Sequence, residues 1–474
     1  MAYKDIREFI DEIDRLGQVK RVAGVGWDLE LGALTEVAAA LPSCPMLLFD
    51  KIGACPPGFR VLTNILHTEQ RLSLALSGSP DFKGVELAKQ WKEALAKIGA
   101  GYAPCEVSSG PVQEHTIRGG QVNILDFPIP KWHALDGGRY IAGAITVMRV
   151  PEEGWINLGI FRLQVHDKAT LGIMITPGKH GRTILEKYWA KGESCPVAIS
   201  LGHAPSLMLA ASVHVPWGKS EYEFAGALAG GPIEVVPGAY TGLPIPATAE
   251  IVIEGEIPPL EQEGHLEGPF GEATGYYTFE ETLQPVVKIK SIMHRDAPII
   301  ASQPPMGPFP GQAQFATEPR VATVWNDLER SGIAGIRGVW RHGYGFTVIS
   351  LKQAYAGHAK QAALIATGSR GTLAGRAVVV VDEDIDPANI AEVIWAISTR
   401  CEPERHVEII KEGWSSDLDP VIPSAEKHRG NFTSGRLIID ACIPFLRKGE
   451  FPPRNAASAE LKAQVWEKWG KNIG

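Results

Sequence analysis

Cysteine is scarce in this chain of 474 residues, and the six cysteines are scattered at positions 44, 55, 105, 195, 401 and 442. No two of them form a Cys-x-x-Cys pair, which argues against a zinc ribbon and against a disulfide framework. This cysteine usage is typical of proteins in a reducing compartment, so we expect a cytoplasmic location.

Basic charge and long apolar runs are also missing. The formal net charge is -8 and the sequence pI is about 5.9, so a protein that binds nucleic acid through phosphate contacts is not expected. No run reaches the roughly 18 apolar residues that a membrane helix needs. The N-terminal segment Met1–Glu8 is amphipathic and does not predict a signal peptide. We therefore expect neither a nucleic-acid partner nor a membrane partner.

The length of the chain exceeds what one ordinary core holds, and its texture predicts a mixed α/β protein of several domains. Residues 1–110 combine helical stripes with short strands and predict a mixed α/β domain. Residues 111–300 contain many short β-branched runs separated by Gly and Pro, which predict a barrel or a sandwich. Residues 301–455 alternate strand and helix patterns and predict an α/β layer domain. Residues 456–474 contain a charged amphipathic helix, which we interpret as an oligomerisation helix.

Individual elements follow from the spacing of apolar residues. An apolar stripe from Ile6 to Leu16, followed by Gly17, predicts an N-terminal helix with a glycine cap. Ile156–Val165 is predicted as one strand of the middle domain. Arg182–Lys191 is the clearest helical pattern there, and few other helices are expected in that part of the chain.

The segment Glu267-Gly-Pro-Phe-Gly-Glu272 is the strongest chemical signal in the sequence. Gly permits unusual backbone angles and Pro fixes φ, so the four central residues predict a bend that aims both acids into one pocket. Two close carboxylates repel when both are ionised, which raises the pKa of one of them. Such a carboxylic acid can donate a proton near neutral pH. The alternative is that both acids lie in a surface turn.

Further polar residues interrupt apolar segments of the same domain. Asn157 and Arg162 lie five residues apart in an apolar run, and a cation at Arg162 would balance the two acids or hold an anionic substrate. Asn157, His180 and Glu221 offer an amide oxygen, an imidazole and a carboxylate, a donor set that suits Mn²⁺ or Mg²⁺. A purely structural role for His180 remains open.

Two basic loops are candidate phosphate sites. Lys179 and Arg182 flank the start of a probable helix, whose free N–H groups also attract anions. Arg370 lies in a Gly-containing loop before a strand. Ordinary solvated side chains are the alternative at both places.

Several longer motifs together resemble the UbiD-type decarboxylases, which use prenylated flavin mononucleotide. The likeness runs nearly end to end and is strongest at Asn157–Arg162, Ser220–Leu228, Glu267–Tyr276, Tyr355–Lys360 and Val393–Arg400. Within the family, the chain is most similar to the large catalytic subunit of bacterial hydroxyarylic-acid decarboxylases. The family fold implies an N-terminal α/β domain, a central split β-barrel that binds flavin, and a C-terminal α/β domain with a terminal helix.

The resemblance implies roles for individual residues. Arg162, Glu267 and Glu272 match the catalytic Glu-Arg-Glu network, and Asn157, His180 and Glu221 match the ligands of a divalent ion, usually Mn²⁺, accompanied by K⁺. The residues expected to contact the cofactor are Asn157, Leu158, Gly159, Ile160, Arg162, Lys179, His180, Ser212, Glu221 and Arg370. Many family members carry Gln where this chain has Lys179, so the role of that one position is open.

The activity implied is reversible, non-oxidative decarboxylation of an aromatic acid through a covalent adduct with the cofactor. Glu272 would deliver the proton, Arg162 would bind the carboxylate, and Glu267 would orient Arg162. The partners implied are a phenolic or related aryl acid, a flavin prenyltransferase that supplies the cofactor, possible small accessory subunits, and further copies in a homodimer or homohexamer.

Other readings stay open from the sequence. They are a flavin oxidoreductase on a split barrel, a metal-dependent hydrolase with Glu272 as base, and a non-catalytic binding subunit. Polycyclic, heteroaromatic and CoA-linked acids also remain open as substrates.

Overall fold

The computed structural model describes residues 3–278, 280–307, 318–373 and 375–472. The helices are α1 (Ile6–Arg15), α2 (Glu30–Ala39), α3 (Glu69–Ser77), α4 (Gly84–Leu95), α5 (His180–Trp189), α6 (Pro205–Ala211), α7 (Glu221–Ala229), α8 (Glu318–Arg330), α9 (His358–Gly368), α10 (Ile390–Arg400), α11 (Pro403–His406), α12 (Ser424–His428) and α13 (Ala459–Trp469).

The strands belong to four sheets. They are β1 (Val19–Ala23), β2 (Met46–Asp50), β3 (Arg60–Thr63), β4 (Cys105–Glu106), β5 (His115–Arg118), β6 (Tyr140–Ile141), β7 (Ile145–Arg149), β8 (Ile156–Ile160), β9 (Arg162–Asp167), β10 (Thr170–Met174), β11 (Cys195–Leu201), β12 (Glu234–Pro237), β13 (Pro244–Pro246), β14 (Ile251–Ile257), β15 (Gly264–Glu267), β16 (Thr282–His294), β17 (Ile299–Ala301), β18 (Ile336–His342), β19 (Phe346–Leu351), β20 (Ala377–Asp382), β21 (Val407–Trp414) and β22 (Thr433–Asp440). The predicted mixed α/β class is confirmed.

The first helix forms as its sequence predicts. The Asp5 side chain accepts a hydrogen bond from the Glu8 N–H at 2.9 Å and caps the start of α1. Gly17, just beyond the end, has φ 72°, a left-handed conformation that favours glycine. The apolar stripe is buried, with Ile6 and Phe9 fully inaccessible to solvent.

The N-terminal sheet has the strand order β1-β2-β3-β17. Its fourth strand, β17, pairs in parallel with β3 and comes from a distant part of the chain, at Ile299–Ala301. The chain therefore leaves this sheet at Thr63 and returns to it only after the central sheet is complete. The domain boundaries suggested by the sequence stay a prediction.

The central sheet has ten strands, eight of them in the order β6-β9-β10-β16-β14-β11-β7-β8. The long strand β16 also pairs with β15 and β5. Within the described residues, no ladder joins the two ends of this order, so the sheet does not close by hydrogen bonds. Its strands contribute residues to two separate hydrophobic clusters, so both faces of the sheet are packed.

The prediction of one strand over Ile156–Val165 is wrong. The chain breaks at Phe161 into β8, which pairs with β7, and β9, which pairs with β10. Since β8 ends the strand order on one side and β9 lies next to the other end, Phe161 joins opposite edges of a curled sheet. The break sets Asn157 and Arg162 on different strands, and each then belongs to a different part of the site.

The helices α6 and α7 were not predicted. Both are rich in Ala and are buried on most sides, with Leu209, Ala210, Phe224 and Ala225 almost inaccessible to solvent. A helix that is buried all round lacks the polar face that produces an amphipathic pattern. The sequence method therefore had no periodic signal to detect.

The C-terminal sheet has the order β18-β19-β20-β22-β21 and is packed by α8, α9 and α10. The predicted alternation of strands and helices in this part of the chain is confirmed. The terminal helix α13 is also present, beginning after Ser458, whose hydroxyl accepts from the Leu461 N–H at 3.1 Å. No helix in the described ranges is both long and apolar enough to cross a membrane.

Candidate active site

Arg162 joins the two acids that flank the bend. Its Nε and Nη2 donate to the two carboxylate oxygens of Glu267 at 2.9 and 2.8 Å. Its Nη1 donates to Oε1 of Glu272. Glu267 is fully buried and Glu272 is 8% exposed. The planar guanidinium can bind both carboxylates at once, because it presents several N–H donors in a fixed geometry.

Local backbone contacts hold this trio in place. Arg162 is the first residue of β9 and Glu267 is the last residue of β15, so both lie at strand ends. The N–H of Gly268, which has φ 109°, donates to the Gln164 side chain at 3.0 Å. The Glu272 N–H donates to the Tyr276 carbonyl at 3.0 Å and closes the loop beyond the bend.

The surroundings shift the pKa of both Glu272 and Arg162. Burial raises the pKa of Glu272 above its ordinary value, and the nearby Asp417 and Glu267 add to this, while Arg162 opposes it. For Arg162, burial favours the neutral form, but the charges of Glu272 and Glu267 outweigh it and raise the pKa. The trio thus combines the Arg162 cation with a Glu272 carboxyl group that keeps its proton to a higher pH than an ordinary glutamate does.

A cavity of about 350 Å³ opens directly onto Arg162 and Glu272. Its walls are mainly apolar and come from distant parts of the chain: Ile65 and His67, Ala142 and Gly143, Ile160 to Arg162, Met174, Thr176, Lys179, Met208, Phe270, Glu272 and Ala273, Ala301 to Met306, and Leu418. An apolar cavity with a few convergent polar groups is the usual form of a small-molecule site.

The metal-type residues form a second group. Asn157 and Glu221 are buried, and the Asn157 Nδ2 donates to both Glu221 oxygens at 3.1 and 3.2 Å. The Leu158 N–H also donates to Glu221 at 2.7 Å. Among the described residues, Asn157 Oδ1 is buried without a hydrogen-bond partner. Burial raises the pKa of Glu221 to about 7, so a nearby cation would stabilise the ionised form of this carboxyl group.

His180 opens α5, and its ring lies 5.2 Å from that of His214 and 5.2 Å from that of Trp217. Burial, together with Arg370 and Lys179, lowers the pKa of His180 and keeps the imidazole neutral, which is the ligating form. Within the described chain, no group of three or more His, Cys, Asp and Glu side chains has metal-binding geometry. The set of Asn157, His180 and Glu221 lies outside that definition, because it contains only one His and one Glu. The unpartnered amide oxygen of Asn157 is a ligand that suits an ion such as Mn²⁺ or Mg²⁺.

The basic residues meet on one side of this group. Arg370 Nη1 lies 3.1 Å from Nε2 of His214. Lys179 caps α5 and lines the cavity with Glu272, so it lies between the two groups of residues. Ser212 follows the last residue of α6, and its hydroxyl donates to the Leu209 carbonyl at 2.7 Å.

Several residues at the site were missed by the sequence reasoning. Phe270 stacks on Tyr140 with ring centroids 4.2 Å apart, and the Arg162 guanidinium lies 5.5 Å from the Phe270 ring. His214 contacts the basic group, and Asp417 influences Glu272 from the C-terminal part of the chain. Phe270 lies inside the bend motif and was within reach of prediction. Asp417 and His214 carry no motif of their own.

Three domain models of one family match the chain consecutively. They are described as the N-terminal domain (residues 10–91), the Rift-related domain (105–308) and the C-terminal domain (314–441) of 3-octaprenyl-4-hydroxybenzoate carboxy-lyase, UbiD. The chain belongs to the UbiD family. The expectation of a carboxy-lyase is confirmed by these matches together with the relatives of the chain.

Two curated relatives cover nearly the full length of the chain. A phenolic acid decarboxylase of Bacillus subtilis is 31% identical, with 98% of both chains covered. A pyrrole-2-carboxylic acid decarboxylase of Pseudomonas aeruginosa is also 31% identical, with 98% of this chain and 97% of the relative covered. These names support the coarser assignment, a UbiD-family decarboxylase of aromatic acids.

A solved structure of a UbiD-class enzyme supports the fold. HmfF from Pelotomaculum thermopropionicum, in complex with FMN, superposes with a TM-score of 0.85 at 29% identity, covering 97% of this chain and 98% of that one. An evolved dimeric form of HmfF, in complex with prenylated FMN, gives a TM-score of 0.81 with the same coverage. The two HmfF structures, which share the architecture of this chain, each contain a bound flavin.

Proposed function

We propose that this UbiD-family enzyme reversibly decarboxylates a phenolic or related aryl carboxylic acid with the help of prenylated FMN. The observation that carries the proposal is the Arg162 guanidinium, which bonds Glu267 and Glu272 on the wall of a largely apolar cavity. A cation held in an apolar recess suits a substrate with a flat ring and one carboxylate.

Arg162 is the proposed substrate anchor. Glu267 occupies Nε and Nη2 on one edge of the guanidinium, and Glu272 occupies Nη1. A substrate carboxylate competes with Glu272 for Nη1, while Glu267 keeps the guanidinium in plane. The displaced Glu272 then lies next to the substrate carboxylate in the buried wall of the cavity. The nearby negative charge and the burial both favour the protonated form of Glu272.

Glu272 is the proposed proton donor. Loss of CO₂ leaves negative charge on a ring carbon, and a proton must reach that carbon. The flavin, when bound, supplies the electron sink that side chains lack. After CO₂ leaves, Arg162 is free to take back the ionised Glu272, which lowers the cost of giving up the proton. The same residues serve carboxylation when CO₂ is abundant.

Asn157, His180 and Glu221 are the proposed ligands of Mn²⁺ or another divalent ion, which would bind the cofactor phosphate. The unpartnered Asn157 Oδ1 and the neutral His180 support this donor set. Leu158, Gly159, Ile160 and Arg370 are proposed to line the flavin site. Potassium, with Ser212 nearby, is proposed from the family resemblance alone, as are a flavin prenyltransferase, accessory subunits and a homodimer or homohexamer.

The experiment that tests the activity is expression with and without a flavin prenyltransferase. We expect CO₂ release and deuterium exchange into the product only from protein made with it, across a panel of phenolic, pyrrole-type and polycyclic acids. Equal turnover from protein that holds unmodified FMN would overturn the cofactor assignment. Activity without any flavin would favour a metal-dependent reaction that needs no flavin.

The metal assignment has its own test. Glu221→Gln should lose Mn²⁺ and flavin together, because an ion and a phosphate neutralise each other in one site. Glu223→Gln, two residues along the same helix, is the matched control and should retain both. Undiminished metal and flavin in the Glu221 variant would contradict the proposed ligand set.

A further inference from the structure

Behind the catalytic trio, two strands carry a second line of polar side chains that leads towards the surface. Side chains alternate along a strand, so Arg162, Gln164 and His166 share one face of β9. By the same rule, His265 and Glu267 share one face of β15. Neither His166 nor His265 has a part in the proposed reaction.

Three contacts connect β9 with β15 and the residue that follows it. Arg162 bonds Glu267, Gln164 accepts from the Gly268 N–H, and the rings of His166 and His265 lie edge to face with centroids 4.9 Å apart. This row of side chains reaches solvent at its outer end, since the His265 side chain is 36% exposed. A polar path therefore runs from the buried catalytic carboxylate to the surface.

Gly172 makes room for the inner end of the path. A Cβ on this glycine would lie 2.6 Å from Nε2 of His166 and 3.4 Å from Cγ of Glu267. These two atoms are therefore at most 6.0 Å apart, which is the sum of the two distances. Any larger side chain at position 172 would push the imidazole away from the carboxylate.

The His166 nitrogen that faces this space lacks a partner. Among the described residues, Nε2 of His166 is buried and makes no hydrogen bond. A buried imidazole nitrogen without a partner is costly, and the upper limit of 6.0 Å to Cγ of Glu267 leaves space for a direct bond or one bridging water. Arg162 gives one hydrogen bond to each Glu267 oxygen, and each carboxylate oxygen has a second lone pair that can accept from a further donor.

We propose that His166 is a positioning residue for Glu267, with Nε2 hydrogen-bonding the rear of that carboxylate directly or through one water, and that His265 connects this imidazole to solvent. Neutral His166 then holds Glu267 flat against Arg162. Protonated His166 is a second cation that competes with Arg162 for the same carboxylate. The kinetic part of this inference rests on the proposed function, but the pairing of the residues does not.

The charges around His166 set the direction of its response. Glu267 and Asp167 favour the imidazolium, while burial and His265 disfavour it and lower the pKa of His166. His265 Nε2 lies 3.7 Å from Glu263, which is itself paired with Lys288 at 2.8 Å. At neutral pH the balance leaves His166 uncharged.

Histidine titration by two-bond ¹H–¹⁵N NMR on flavin-free protein tests the pairing. Glu267→Gln should lower the pKa of His166, because it removes the carboxylate that stabilises the imidazolium. His265→Asn should raise the pKa of His166, and it leaves the catalytic trio intact. His294, which lies on β16 and contacts His115, is the internal control and should titrate unchanged in both. An unchanged His166 in either variant would overturn the inference.

Kinetics of the holoenzyme test the positioning role. His166→Phe should lower kcat roughly tenfold, the worth of one hydrogen bond, with KM and flavin content unchanged. His166→Gln places a neutral N–H donor near the position of Nε2 and should restore kcat, but it should remove the acid limb of the pH profile that His166 contributes. Equal loss in both variants, or an acid limb that persists in the Gln variant, would show a merely structural histidine. If wild type proves inactive while the NMR shifts appear, only the proposed function has failed.

Discussion

Glu272 shows how one side chain acquires a chemical task from its surroundings. It differs from a surface glutamate in three respects: it is buried, it lies near two other carboxyl groups, and it touches a guanidinium that a substrate can occupy. The proximity of Glu267 and the pairing with Arg162 were predicted from the sequence. The extent of burial and the approach of Asp417 depend on segments that are remote in the chain.

Replacing Glu272 by Gln should lower turnover by roughly 10²-fold or more, the usual worth of a positioned acid, because Gln keeps the shape but has no proton to give. Deuterium exchange into the product should fall in parallel, and flavin content should stay normal. The check is steady-state CO₂ release together with mass spectrometry of the product. Exchange at the wild-type rate would mean that another group delivers the proton.

The pH profile gives an independent prediction for the same residue. A donor acts in its protonated form, so activity should fall as pH rises through the folded pKa of Glu272. Since burial raises that pKa, the alkaline limb should lie above about pH 4.3, where an ordinary glutamate is half ionised. Infrared titration of the Glu272 carboxyl, with Glu272→Gln as the blank, measures the same pKa directly. A carboxyl that ionises at or below the ordinary value would contradict this picture.

At the scale of elements, the strand–bend–loop unit from β15 to Tyr276 is held by a close approach of two backbones. Gly137 donates its N–H to the Pro269 carbonyl at 2.8 Å, and a Cβ there would lie 1.9 Å from the Gly268 oxygen. The sequence predicted the bend from its own Gly and Pro residues. It gave no sign of Gly137, because a contact between distant segments leaves no local pattern.

Gly137→Ala should therefore displace the bend and lower turnover by roughly 10²-fold, the usual effect of a 1 Å misplacement of catalytic groups. Gly120→Ala is the matched control, since nothing lies within 4 Å of a Cβ at that glycine. Paired kinetic assays and crystal structures of the two variants provide the measurement. Full activity of the Gly137 variant with an unmoved bend would show that the loop tolerates the extra carbon.

The prediction of a helix from periodicity depends on a polar face that meets water. The helix α1 and the terminal helix α13 have polar faces and were predicted. The buried helices α6 and α7 were missed, and the break at Phe161 was hidden inside a continuous β-branched run. That break is where the sheet changes edges, and its position depends on pairing with β7 and β10 instead of local preference.

At the scale of the molecule, a buried ionic cluster ties the N-terminal helix to the central sheet. Glu250 is fully buried and accepts from Arg7 at 2.7 and 2.8 Å and from Arg295 at 3.2 Å. Arg295 also donates to Asp5 at 2.8 Å. The cluster joins residues near position 5 to residues near position 295. No local sequence pattern predicts such a contact between distant segments.

Glu250→Gln should destabilise the fold by about 1–3 kcal/mol, the cost of weakening hydrogen bonds to a buried charged group, while Arg295 keeps its pairing with Asp5. Asp14→Asn, which removes the exposed pair with Arg21, is the control and should change stability little. Denaturant unfolding of both variants measures the difference. Equal stability of the Glu250 variant and wild type would show that Arg7 and Arg295 find other partners.

The return of β17 to the N-terminal sheet has a consequence for how the chain is made. Strands β1, β2 and β3 leave the ribosome early, but their parallel neighbour is encoded at Ile299–Ala301. Throughout the synthesis of the central sheet, the free edge of β3 lacks this neighbour and can pair with other extended segments. Ribosome-stalled chains ending before residue 299 should thus bind holding chaperones, and release should follow once translation passes that point.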